Sequence, residues 1–312
     1  MRGELDPQVD VILELVNDYD ITLSGADVSE SRQELETMID LAGDDPVSVG
    51  EVADFTIDAE DRDLPARAYV PEGEGPFPVV AFFHGGGFVL GSVDAYDNLC
   101  RLLARESSCL VVSVEYRLAP EHPWPAALED CYAATRWLSR NADRFGGDST
   151  RLAVAGDSAG GNLSATVSLL ARERGMIDIN CQILLYPSTA SFEPMDSRAA
   201  NASGYFLTAE DLVWFVGHYI EDSFDAHNPL AFPLQARDLS ELPPAFVLTC
   251  GFDPLRDEGI AYADRLRDAG VDVEHTNYES MIHGFLTMEG IVDRAREGID
   301  EVATYLQREL HP

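Results

Sequence analysis

Apolar positions along the chain fall into two patterns. Short runs rich in Val, Ile, Phe and Leu, at 52–57, 66–70, 79–83, 109–116, 152–155, 182–186, 245–251 and 271–278, read as strands. Between them, at 94–106, 125–141, from about 162 onward and at 291–310, apolar residues recur at helical spacing. Strands separated by helix-length segments become neighbours only through crossovers, so the pattern predicts the α/β class, with a mostly parallel central sheet and helices on both faces. Two stretches break the rhythm. Residues 1–45 look largely helical, with Val9, Ile12, Leu13 and Val16 on one face, and 188–238 breaks into loops around a helix near 210–220. At 312 residues the chain suits one α/β domain, 46–187 and 239–312, carrying these two additions.

Charge narrows the partners. The chain carries 56 acidic and 21 basic residues for a net charge of −35, and every basic residue is arginine. Such a surface repels nucleic acid and anionic membranes and opposes its own compaction. The acids are spread along the chain, which argues against a dedicated surface for one basic protein. A lysine-free acidic composition is similar to that of proteins from salt-accumulating halophiles, which implies a halophilic archaeal source and a charge that reports habitat, not substrate. No window is long and apolar enough to span a bilayer, and the first residues lack the layout of a secretory signal. Five cysteines, Cys100, Cys109, Cys131, Cys181 and Cys250, are odd in number and sit mostly in apolar runs, so buried, reduced thiols in a cytoplasm are expected. Neither metal-ligand spacing nor a nucleotide-binding motif is present, so no metal and no cofactor are expected.

Candidate chemistry centres on Gly156-Asp157-Ser158-Ala159-Gly160, between the apolar run 152–155 and a helix-like run. A sharp strand-to-helix turn needs small residues two before and two after the serine, and it would lift the hydroxyl above the sheet at a helix N-terminus. On its own the pentapeptide is also compatible with an ordinary turn. His84-Gly85-Gly86-Gly87 follows the run 79–83, and three glycines let main-chain N–H groups approach an oxyanion. Gly85 and Gly86 are the expected donors, with Ala159 as the third. A serine nucleophile needs a base, and His283, on the loop between 271–278 and 291–310, has the right placement. His275 alternates within a strand, His311 is terminal, and His218 and His227 lie in the off-rhythm segment. His122 sits among prolines on a connection and reads as scaffold. Asp253 stands directly off the end of the run 245–251 and is the favoured orienting acid, whereas Asp257 and Glu258 open a helix and complement its dipole. Asp157 reads as a brace for the turn.

Taken together with Glu115-Tyr116-Arg117-Leu118-Ala119-Pro120-Glu121-His122-Pro123, Asp253-Pro254-Leu255 and His283-Gly284-Phe285, these segments occur in order from about 79 to 285. The chain thereby resembles the hormone-sensitive-lipase-like carboxylesterases of the α/β-hydrolase superfamily. That resemblance implies an α/β-hydrolase fold, a triad of Ser158, Asp253 and His283, and a helical cap built from 1–45 and 188–238. It also implies a small-molecule ester as substrate, with short to medium acyl chains favoured, and a homodimer is compatible with it. Tyr205, Phe206, Leu207, Trp214 and Phe215 are the candidate pocket walls. An amidase or thioesterase would use the same residues, and a non-catalytic receptor could share the fold.

Overall fold

A computed structural model describes residues 3–19, 21–59 and 62–311. Its centre is set by strands whose side chains alternate between two buried faces. In β3 (Phe77–Phe83), Val79, Ala81 and Phe83 pack into one apolar cluster and Val80 and Phe82 into the other. The same division recurs in β4 (Leu110–Val114), where Leu110, Val112 and Val114 face one way and Val111 the other. A strand apolar on both faces must be covered twice. Helices α3 (Asp97–Ser107) and α9 (Asp293–Leu310) cover one face. Helices α4 (Ala126–Asn141), α5 (Ala159–Arg174) and α8 (Arg256–Asp268) cover the other.

The sheet also contains β1 (Glu51–Asp58), β2 (Asp63–Val70), β5 (Gly147–Asp157), β6 (Cys181–Leu185), β7 (Ala245–Phe252) and β8 (Val273–Ile282), in the order β1-β2-β4-β3-β5-β6-β7-β8. Pairing is antiparallel from β1 to β2 and from β2 to β4, and parallel from β4 onward. After β3 the chain crosses to β4 on one side, whereas after β5 it crosses to β6 on the other. The carboxyl ends of β3 and β5 therefore flank a switch in winding direction, where loops diverge and leave a crevice. Expected strand ends move by a few residues: β5 starts at Gly147, ahead of its apolar run, and β8 continues to Ile282.

Helices precede β1 and follow β6, and Leu35, Met38, Phe206 and Phe215 from these parts line the crevice as a helical cap. In α1 (Pro7–Asp18) the Asp6 carboxylate accepts the Gln8 amide, and in α2 (Val28–Ala42) Asp27 accepts the Ser29 amide, each satisfying a donor that has no intrahelical partner. A short α6 (Asp196–Ala200) and α7 (Ala209–Tyr219) follow β6, the latter opened by a reciprocal Thr208 and Asp211 capping box. Leu23 and Leu35 from the N-terminal part meet Leu207 and Phe215 from the later part, above Val89 and Leu90. Among the described residues no helix is long and apolar enough to cross a membrane. All five cysteines are buried and unpaired.

A buried charge fastens the cap to the sheet domain. Glu258, fully enclosed in the first turn of α8, accepts the Thr189 and Ala190 amides at 2.8 and 3.0 Å and pairs with Arg198 at 2.5 Å. Burial pushes its pKa up to about 7 despite the guanidinium and the two amides. Because the folded-state value lies above the ordinary glutamate value of 4.5, stability from this group is complete below pH 4.5 and declines as pH rises through about 7. Arg198→Ala would leave the ionised carboxylate unpaired, and a loss of about 3 kcal/mol in unfolding free energy is expected at pH 8. The loss should shrink below about pH 7, where Glu258 takes up a proton; denaturant titrations at the two pH values measure the difference.

Candidate active site

Ser158 lies between the last residue of β5 and the first of α5, with φ 54° and ψ −114°. A positive φ on a residue with a Cβ costs about 1–3 kcal/mol and persists only where surrounding contacts enforce it. The contacts here are main-chain ones. A Cβ on Gly156 would stand 2.5 Å from the Phe83 carbonyl oxygen, and one on Gly160 would stand 2.6 Å from the Phe83 carbonyl carbon and nearer still to its oxygen. Both glycines are thus required by the end of β3, next to which the elbow is pressed. The Ser158 amide donates to the Leu185 carbonyl at 2.8 Å, tying the turn to β6 as well.

Asp253 follows β7, His283 follows β8, and the two loops converge on the serine. His283 Nδ1 is 2.8 Å from Asp253 Oδ2, and Nε2 is 2.9 Å from Ser158 Oγ. A carboxylate facing Nδ1 places the proton on that nitrogen, leaving Nε2 to accept from the hydroxyl. Asp253 is fully buried, and its other oxygen accepts the Leu255 amide at 2.7 Å. Asn201 from the cap donates to the Asp253 carbonyl at 3.0 Å. Tyr186 meets the His283 ring edge-on at 4.9 Å. Asp257 is engaged elsewhere, accepting the Ser197 amide at 2.7 Å and pairing with Arg256 at 2.8 Å.

The other histidines lie apart from this line. His275 meets Thr249 Oγ1 at 2.9 Å, His218 faces the Trp214 carbonyl, His311 approaches the Ser107 carbonyl, and His122 and His227 are exposed. His84 is buried, which disfavours its charged form; its ring stacks on Tyr116 at 4.3 Å, and Tyr116 Oη donates to the His84 carbonyl at 2.7 Å. Among the described residues no group of three His, Cys, Asp or Glu side chains could hold a metal ion.

Ser158 and His283 open on a narrow cavity of about 50 Å³ under the cap. Gly86 and Gly87 line it and Gly85 does not. Gly85 is instead enclosed by Asp157 and Tyr96: a Cβ there would stand 2.7 Å from Tyr96 Oη and closer to the carboxylate. The glycines of the loop thus face the cavity one residue later than expected. Ala159, fully buried, opens α5, where first-turn amides have no intrahelical acceptor. Of the five aromatic and aliphatic residues expected as walls, Phe206, Leu207 and Phe215 line the cavity. Tyr205 and Trp214 do not. Tyr205 packs on Phe252 at 5.0 Å, and Trp214, about 100° round the helix from Phe215, turns onto His218 at 4.2 Å. Leu23, Leu35, Met38 and Ile39 supply a wall that sequence reading missed, although the last three recur at helical spacing in α2. A larger surface cleft of about 690 Å³ lies beside α4, away from the serine.

The profile of the alpha/beta hydrolase fold family matches residues 80–287. Esterase LipI of Mycobacterium tuberculosis is 42% identical over 83% of this chain and 82% of its own length. Carboxylesterase NlhH of the same species is 38% identical over 98% and 97%. The solved structure of ester-hydrolase EH1AB1, from the metagenome of Lake Arreo, superposes with a TM-score of 0.93 at 40% identity, covering 97% of this chain and 98% of that one. The chain belongs to the α/β-hydrolase fold family. Within it, the chain is a carboxylic ester hydrolase.

Geometry separates the two acids of the 251–258 segment. Asp253→Asn would present an amide to His283 Nδ1 and favour the wrong tautomer, so kcat should fall by about 10⁴, as in the serine-protease template. Asp257→Asn should change kcat little and act on cap attachment. Steady-state rates on one ester for both purified variants make the comparison, and equal losses would remove Asp253 from the orienting role.

Proposed function

We propose that the chain is a serine carboxylesterase of the hormone-sensitive-lipase-like branch, acting through Ser158, His283 and Asp253. The observation that carries this reading is the unbroken hydrogen-bonded line from Asp253 through His283 to Ser158, ending at an apolar cavity. His283 takes the hydroxyl proton as Ser158 Oγ attacks the ester carbonyl, and the same proton leaves with the alcohol. Water then adds to the acyl-enzyme, gives its proton to His283, and the acid departs as the serine is regenerated. Amides of Gly86, Gly87 and Ala159 are assigned to the oxyanion, since the first two line the cavity and the third follows the nucleophile. Gly85, the donor expected from the motif alone, is assigned to holding the loop. Residues 1–45 and 188–238 act as the cap and 46–187 with 239–312 as the catalytic domain. Ser158→Ala should abolish both hydrolysis and covalent labelling by an organophosphate while circular dichroism stays unchanged. A folded wild type without turnover would favour a receptor.

The substrate reading follows from the cavity. Its aliphatic and aromatic walls, and its small volume, favour short to medium acyl chains and offer no cationic partner for a charged acyl group. Across a panel of acyl esters, each added methylene that fits should raise kcat/KM by at most about fourfold, the equivalent of about 0.8 kcal/mol, before activity declines. Amide and thioester analogues in the same panel test the neighbouring reaction classes. Best turnover on emulsified long-chain triglyceride would contradict the short-to-medium assignment.

We assign the acidic surface to life in high salt, in the cytoplasm of a halophilic archaeon, with a homodimer compatible with it. A net charge of −35, with 56 acidic residues against 21 arginines, makes carboxylate repulsion a general property of the chain. Screening should relieve that repulsion within the first few tenths molar, since the Debye length is about 10 Å at 0.1 M and about 3 Å at 1 M. Melting temperature and esterase activity are expected to rise together up to at least about 1 M KCl. Gains past the first few tenths molar would mark cation binding or salting-out of apolar surface. Equal stability and activity at about 0.05 M and 2 M would refute the halophilic assignment.

A further inference from the structure

Asp157 is a carboxylate that the acyl-transfer scheme above does not use, although it sits beside the nucleophile and lines the same cavity. It is 2% exposed. Its Oδ2 accepts from Tyr96 Oη at 3.1 Å, while among the described residues Oδ1 has no hydrogen-bond partner. Leaving a buried carboxylate oxygen without a partner is costly, and an amide side chain would brace the turn at lower cost. A buried charge here therefore asks for an electrostatic role.

One group supplies it. His283 lines the same cavity, with its Nε2 2.9 Å from Oγ of Ser158, the residue next to Asp157; it becomes an imidazolium when Ser158 attacks, and in that form it attracts ionised Asp157. We propose that Asp157, held behind Ser158 by Tyr96, is a positioning residue whose negative charge stabilises the His283 imidazolium in the transition state, in addition to Asp253. The proposal rests on the acyl-transfer reading and adds a second carboxylate to it. Burial pushes the Asp157 pKa up to about 7, against the pull of His283, Tyr96 and the Gly85 amide. The remaining titratable groups that face it are Tyr96 and Cys100 at and within α3, Tyr116 after β4 and Tyr186 after β6. Burial pushes all four up, so they stay neutral around pH 7 and add no charge of their own to the pairing of Asp157 with His283.

The test is the pH profile of kcat and KM, between about pH 5.5 and 8.5 in concentrated KCl, for wild type, Asp157→Asn and Tyr96→Phe. At the alkaline end Asp157→Asn should lower kcat about tenfold with KM little changed, the effect of one partly screened charge. The gap should close below about pH 6, where wild-type Asp157 is itself protonated. Tyr96→Phe removes a donor to the ionised form, so the profile should keep its alkaline plateau and move to higher pH. A ratio between wild type and Asp157→Asn that is the same at every pH would reduce Asp157 to a brace and overturn the proposal. So would a Tyr96→Phe profile that superposes on wild type, and this second variant decides alone if Asp157→Asn does not fold. Residual turnover by folded Ser158→Ala would instead bring down the acyl-transfer reading, whatever the Asp157 variants do.

Discussion

Everything at the site depends on one close approach: the turn after β5 is pressed against the last carbonyl of β3 with no room for a side chain between them. Gly156 and Gly160 permit the contact, and the contact holds Ser158 at an unfavourable φ. Because β3 and β5 are adjacent and their connections leave in opposite directions, the same contact places the glycine loop after β3 beside the hydroxyl. Hydroxyl and glycine loop are thus set by main-chain packing.

The cap depends on a different balance. Its lower surface is apolar and meets the loop after β3 through Leu23, Leu35, Leu207 and Phe215. Phe215 packs directly on Gly87, where a Cβ would overlap its ring, so the cavity wall and the glycine loop share one contact. Apolar contact gives no fixed orientation, and the polar anchors supply it. Glu258 with Arg198, Asp257 with the Ser197 amide, and Arg32 with Glu121 and the Val89 and Ala119 carbonyls each demand a specific geometry. The buried Glu258 pair costs desolvation energy that an apolar pair would not, and in exchange it specifies where the cap sits.

Electrostatics acts on two scales that need separating. The surface carries far more acid than base, yet the arginines are used in compact pairs, such as Arg67 with Asp54, Asp94 and Asp97, and Arg117 with Asp130. Such pairs relieve local repulsion and leave the long-range field, which salt screens. The buried acids answer to burial and to fixed partners, which dissolved salt reaches only weakly. Asp157 and Glu258 both rise to about 7, so lowering the pH favours the fold through these two groups as well as through relief of surface repulsion. Acid stabilisation at low salt therefore has two sources, which concentrated salt separates.

Local pattern carried much of this in the sequence itself. Short apolar runs and helical spacing determined the alternation of strands and helices, and turn chemistry around Ser158 with strand-end positions for Asp253 and His283 pointed to residues that the fold does bring within hydrogen-bonding distance. These features are legible because each depends on neighbours a few residues away. Tertiary structure alone decided which glycines of 85–87 face the cavity, because that turns on Asp157 and Tyr96 closing around Gly85 from other elements. It also decided that Phe215 faces inward while Trp214 faces His218, and that α2 completes the wall with Leu35, Met38 and Ile39. Direction on a helix face, contact across the cap and the burial of a carboxylate are set by what lies far along the chain, which no local spacing records.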